Sequence, residues 1–121
     1  MSEYERELGK IVETYLGVED HGILTATLGI DFGGAQQGIG GFFLDAYDAT
    51  RESRHGTAEG MEFVRRLLKA CGVESWERLR GRTIYVLRKQ GEGRWGAIVG
   101  IENLPTESGE RFLFEEAFPR R

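Results

Sequence analysis

Apolar and polar positions alternate along Lys10–Val18, KIVETYLGV, and this period of two predicts a strand. Ile11, Glu13, Tyr15 and Gly17 fall on one face, while Val12, Thr14, Leu16 and Val18 form the other, more apolar one. Residues 1–9 ahead of it read as a short helix or a loose arm. Glu19–Asp20–His21–Gly22 has the chemistry of a tight hairpin loop, with Gly22 suited to the left-handed position after a type I turn. A second strand, ILTATLGID, occupies residues 23–31.

The pattern then fades. Six glycines lie between Gly29 and Gly41, and residues 33–41 read GGAQQGIGG, predicting a loop with exposed backbone between two extended segments. FFLDAY at residues 42–47 reads as a third strand or the edge of a helix, and DATRESRHG at 48–56 as a polar loop.

Helical spacing returns from Thr57 to Cys71. Thr57 caps this helix, Glu59 suits its first turn, Lys69 suits its last, and Gly72 ends it. Met61, Val64, Leu67, Leu68 and Cys71 form the predicted apolar stripe, with Phe63 and Ala70 beside it. Ser75 opens a short second helix, WERLR, in which Trp76 and Leu79 are core anchors, and Gly81 closes it. RTIYVLRK (82–89) and WGAIVGI (95–101) form a second hairpin around the loop QGEG, with Ile84, Val86 and Arg88 sharing a face. After the turn PTESGE (105–110) the chain ends in RFLFEEAF. Phe112, Phe114 and Phe118 are too many aromatics to leave wet, so residues 111–121 dock onto the body or onto a neighbouring subunit. The fold class expected is α+β: one domain over residues 1–121, with a small, mostly antiparallel sheet of four to five strands on one main helix.

Length and composition agree with one such domain. The chain has 121 residues, 40% hydrophobic and 30% charged, which excludes both a spanning helix bundle and a disordered tail. The acidic start, MSEYERELGK, is neither a secretory signal nor a transit peptide, and a single cysteine, Cys71, forms no internal disulfide. A cytoplasmic protein without a membrane partner is expected. Charge is uneven: residues 1–47 hold two basic and eight acidic groups, whereas residues 51–94 hold eleven basic and six acidic ones. The net charge of −4 argues against nucleic acid as partner, since several phosphates would have to be neutralised.

Taken together, LGVEDHGILTATLGIDFGGAQQGIGGFFLD, GMEFVRRLLKACGVESWERLRGRTIYV and AIVGI resemble a family of small proteins of unassigned function encoded by bacteriophages and prophages. The resemblance spans roughly residues 11–101. It implies a phage or prophage accessory protein and carries no catalytic residue. Phages commonly use small proteins to block or occupy host defence proteins or their nucleotide signals, so a binding function is what the resemblance leads one to expect.

The candidate site is the glycine-rich stretch. Gly33, Gly34, Gly38 and Gly40 let backbone N–H groups approach an anion or a partner, and Gln36 and Gln37 add side-chain donors and acceptors. The stretch is neither a P-loop nor a dinucleotide fingerprint, so no cofactor is expected. Its alternative role is structural, as a flexible hairpin loop or a close backbone crossing. Asp20 and His21 could support acid–base chemistry or simply build their turn; His55 is a lone loop histidine. The serines Ser53, Ser75 and Ser108 lack a nucleophile setting. Arg65, Arg66, Lys69, Arg78, Arg80 and Arg82, with Tyr85 and Trp95, form either a groove for an acidic ligand or an ordinary solvated face. The main expectation is therefore a non-enzymatic binding protein that engages a host protein or a small anionic, nucleotide-like ligand. One alternative is a metal-dependent nuclease or phosphodiesterase holding Mg²⁺ or Mn²⁺ on Asp31 and Asp45, with Glu102 as a third ligand. The other is a structural protein whose aromatic tail makes a homodimer.

Overall fold

The structure is a computed structural model that describes residues 3–118. Its main sheet has six strands, all antiparallel: β1 (Tyr4–Val18), β2 (Leu24–Asp31), β3 (Gln36–Phe43), β6 (Thr83–Lys89), β7 (Gly100–Glu102) and β8 (Arg111–Leu113). They lie in the order β3-β2-β1-β6-β7-β8, while β4 (Asp45–Asp48) and β5 (Ser53–Gly56) form a separate hairpin. Among the described residues one α-helix, α1 (Ala58–Cys71), with short 3-10 turns at Trp76–Arg78 and Phe114–Glu116, completes an α+β fold whose sheet is larger than the expected four to five strands.

The long first strand joins the two halves. Its first part pairs with β6 and its second with β2, so residues 4–9 are strand and not a helix or arm. Register shifts between Ile11 and Glu13, and the extra residue, Val12, turns the strand over. Ile11 is therefore buried before the shift, and beyond it Thr14, Leu16 and Val18 share the face of Leu28, Ala26 and Leu24, where Leu16 and Val18 still leave 43% and 60% of their surface exposed. The Glu19–Gly22 turn forms as expected: Gly22 is left-handed (φ 77°) and donates its N–H to Glu19 O at 2.9 Å.

Helix α1 starts at Thr57, whose Oγ1 accepts from Gly60 N at 2.9 Å, and ends at left-handed Gly72. Its buried positions are Gly60, Phe63, Leu67, Ala70 and Cys71; Met61, placed on the stripe by spacing, is 64% exposed. Gly60 sets this rotation, because a Cβ there would lie 2.3 Å from the Leu44 carbonyl oxygen. The Arg82 guanidinium closes the other end, Nε donating to Cys71 O at 2.9 Å, and a further nitrogen reaches buried Asn103.

The two ends of the sheet approach each other around α1. Phe42, at the end of β3, stacks on Phe63 at 4.9 Å and meets Phe114 edge-on at 5.1 Å. Phe112 and Phe114 are buried and Phe118 packs beside them, so among the described residues the aromatic tail docks on the body of its own chain. Residues 1–2 and 119–121 of the expected arm and tail lie outside the described residues. Among those described, no helix is long and apolar enough to cross a membrane.

Candidate functional site

Residues 33–41 divide into a turn and a strand; they are not the loop expected. Gly33 and Gly34, with φ of 88° and 125°, make a two-residue hairpin turn, closed by Phe32 N–H on Ala35 O at 2.8 Å. Asp31 Oδ1 accepts from the N–H groups of both glycines at 3.3 Å. Residues 36–43 then pair with β2, Gly38 opposite Gly29 and Ile39 opposite Leu28. FFLDAY is thereby split, its phenylalanines ending β3 and its DAY opening the β4–β5 hairpin. DATRESRHG, the expected loop, supplies the rest of that hairpin.

β3 is an edge strand of the main sheet. Because Phe32 and Ala35 are a hydrogen-bonded pair, alternation makes Gln37 and Ile39 bonded to β2 and turns the N–H groups of Gln36 and Gly38 outward. Ile39 is buried on the inner face, and Gln36, Gly38 and Gly40 are exposed on the outer one. There Gly29 and Gly38 lie side by side without side chains and floor a concavity of about 410 Å³. Glu13, Tyr15, Thr27 and Gln36 wall it, and among the described residues no Lys, Arg or His takes part. Gln37 points inward: its amide donates to Gly96 O at 3.1 Å and accepts from Arg88, fastening β3 to the far side of the curl. Arg88 is 4% exposed and also binds Glu7 at 2.7 Å.

The remaining candidates are held apart or committed. Asp20 and His21 are exposed on a turn closed by backbone bonds, with no side-chain hydrogen bond among the described residues. Asp31 stands at the end of β2, whereas Asp45 accepts from Leu24 N at its beginning, about 24 Å away at ordinary strand rise. Asp45 also binds Arg54 at 2.8 Å, and that bond holds its carboxyl below the usual range against the cost of desolvation. Glu102 lies on β7 between Arg6 (2.9 Å) and Arg111 (2.7 Å). Desolvation raises its pKa, but the two arginines outweigh that and lower it. The described residues contain no group of three or more His, Cys, Asp or Glu placed to hold a metal ion.

His55 is the nearest approach to a nucleophile pair, with Nε2 2.8 Å from Ser53 Oγ. Arg51 must donate to Nδ1, at 2.8 Å, so Nε2 carries the proton, donates to Ser53 and is no base toward it. Burial pushes the Cys71 thiol up to about 12. The expected basic groove is largely used internally: Arg66 pairs with Glu116, Arg65 with Glu62, Lys69 with Glu110 and Arg82 with Glu107. Tyr85 carries the Arg6 guanidinium 4.5 Å above its ring.

Sequence reasoning missed Glu13 and Tyr15 as walls of the concavity. Alternation sets both on the less apolar face of their strand, but only the pairing of β1 with β2 and of β2 with β3 shows that this face lies beside Gly29 and Gly38. Comparison with family models, with curated proteins and with solved structures yields no match.

Proposed function

We propose that this chain is a non-enzymatic binding module that adds an extended segment of a partner protein to the open edge of β3. The partner we take to be a host protein, following the resemblance to bacteriophage and prophage accessory proteins. The observation that carries the proposal is the edge itself. The edge runs over eight residues, regular from Gln36 to Ile39 and interrupted by a bulge at Gly40–Gly41, and residues 32–44 contain neither a charge nor a proline. Monomeric proteins ordinarily guard such an edge with Lys, Pro or a covering loop, since its free N–H and C=O groups template another strand. Gly38 and Gly40 leave the outer face bare beside this edge, so that side chains of an added strand can lie across it.

The other readings fit less well. A small anion at this face would meet Glu13 and, among the described residues, no cation. A metal ion on Asp31 and Asp45 would need two carboxylates that stand at opposite ends of a strand. A homodimer through the tail would need phenylalanines that are already packed within the chain.

Gly38→Pro is the direct test. A Cβ at position 38 meets only Leu28 O, at 3.8 Å, and the N–H that proline removes points away from β2, so the fold is kept. Extended twelve-residue segments selected from a displayed library against the wild type should bind Gly38→Pro about tenfold or more weakly, as expected for one or two lost ladder bonds. Equal binding to a Gly38→Pro protein of unchanged Tm, or a library with no binder at all, overturns the proposal.

A further inference from the structure

We infer that the segment added to β3 is a basic, amphipathic strand, carrying Lys or Arg at alternate positions and a large apolar side chain between them. This rests on the strand-addition reading above and adds the chemistry of its partner. Three observations point the same way.

The charge of the edge is one-sided. From Ile11 to Thr50 the chain has six carboxylates and no Lys or Arg. Asp45 and Asp48 pair with Arg54 and Arg51, and Asp31 holds its turn with Lys10 opposite it in register. Glu13, Glu19 and Asp20 have no ion pair within 4.0 Å among the described residues. Glu13 lies over Gly29, two strands in from the edge and within reach of a long side chain crossing the bare glycines.

A second concavity opens on the other side of the same strand. Its volume is about 530 Å³, and Phe42, Phe43, Ile98, Leu113, Phe114 and Phe118 line it where β3 approaches the far end of the sheet. Lys89 and Glu115 stand on its wall and offset each other in charge. Phe43 leaves half of its surface in water, being 52% exposed. Such a pocket is of the size and character that accept an apolar ligand group.

Strand geometry couples the two. Side chains of an added strand alternate between faces, so one set crosses the outer trough toward Glu13 while the other turns toward the pocket at Gly41–Phe43. A second copy of this chain is a poor occupant, because its own β3 is uncharged and brings no cation to Glu13.

The test uses the intact protein and fluorescein-labelled eleven-residue peptides of alternating Lys and Val with one central Phe, read by anisotropy. The Lys/Val/Phe peptide should bind, and weaken as salt rises. Glu13→Gln should weaken it about two- to fivefold, the range for an exposed ion pair. Replacing the central Phe by Ala should weaken it about tenfold, the order expected for one buried aromatic. N-methylation of alternate peptide amides should abolish binding. If the Lys→Glu peptide binds as tightly as the Lys peptide, yet loses binding on N-methylation, the basic partner is overturned and strand addition stands. If N-methylated peptides bind unchanged, strand addition itself fails. An unchanged Kd for the Phe→Ala peptide removes the pocket from the site. No binding by any peptide, or a concentration-dependent dimer abolished by Gly38→Pro, overturns the inference.

Discussion

Alanine is the best helix former, yet at position 60 it does not fit. The site of its methyl group is occupied by the Leu44 carbonyl, at 2.3 Å, so the helix would have to lift from the strand connection that carries its N-cap. Gly60→Ala should lower stability by about 1–3 kcal/mol despite the gain in propensity, read as a lower urea midpoint at unchanged slope. This close approach also explains why the sequence misplaces the stripe. Spacing alone favours Met61 with Val64 and Leu68, whereas the contact at Gly60 rotates Phe63 and Ala70 inward. Glu102 offers a second test at a single residue. Its pKa is lowered in the folded state, so the unfolded state binds the proton more readily and stability falls as pH drops. The wild-type Tm should stay level from pH 7 to 5 and decline below about pH 4, where unfolded carboxylates titrate. Glu102→Gln should show a shallower acid decline, and an unchanged one would mean that the pairing with Arg6 and Arg111 does not lower that pKa.

Among the elements, α1 was legible because its signals are local: Thr57, Glu59 and Gly72 act within a turn of themselves. β3 was not. A strand whose outer face is Gly38 and Gly40 has no side-chain alternation, and only pairing with β2 through the Gly33–Gly34 turn makes it extended. β5, SRHG, was hidden for the same reason, being polar and defined by its partner β4. β8 carries the opposite lesson. Its three residues would not hold a strand alone, but Phe112 is fully buried among Phe63 and Phe114, at 5.8 and 5.5 Å. Phe112→Ala should therefore cost about 3–5 kcal/mol, seen in chemical denaturation. A loss below 1 kcal/mol would mean that the tail is an appendage and not part of the core.

For the molecule as a whole, an α+β domain with a mostly antiparallel sheet could be read from hairpin turns and one amphipathic helix. Strand order and the curl could not, since they depend on contacts as distant as Gln37 with Gly96 and Phe42 with Phe114. The glycine-rich stretch stands out in the sequence as a place for an anionic ligand or a partner, and the carboxylate of Glu13 beside Gly29 is what favours the partner in the reading proposed here. What the fold leaves at this end is an edge strand without charge, with the carboxylate of Glu13 on the face beside it. Amide hydrogen exchange by NMR measures that edge residue by residue. In the free protein Gln37 and Ile39 should exchange slowly and Gln36 and Gly38 fast; with saturating Lys/Val/Phe peptide, Gln36 and Gly38 should slow at least tenfold, as new ladder bonds require. Gln36 and Gly38 already slow in the free protein, or still fast with peptide bound, would contradict a partner strand on β3.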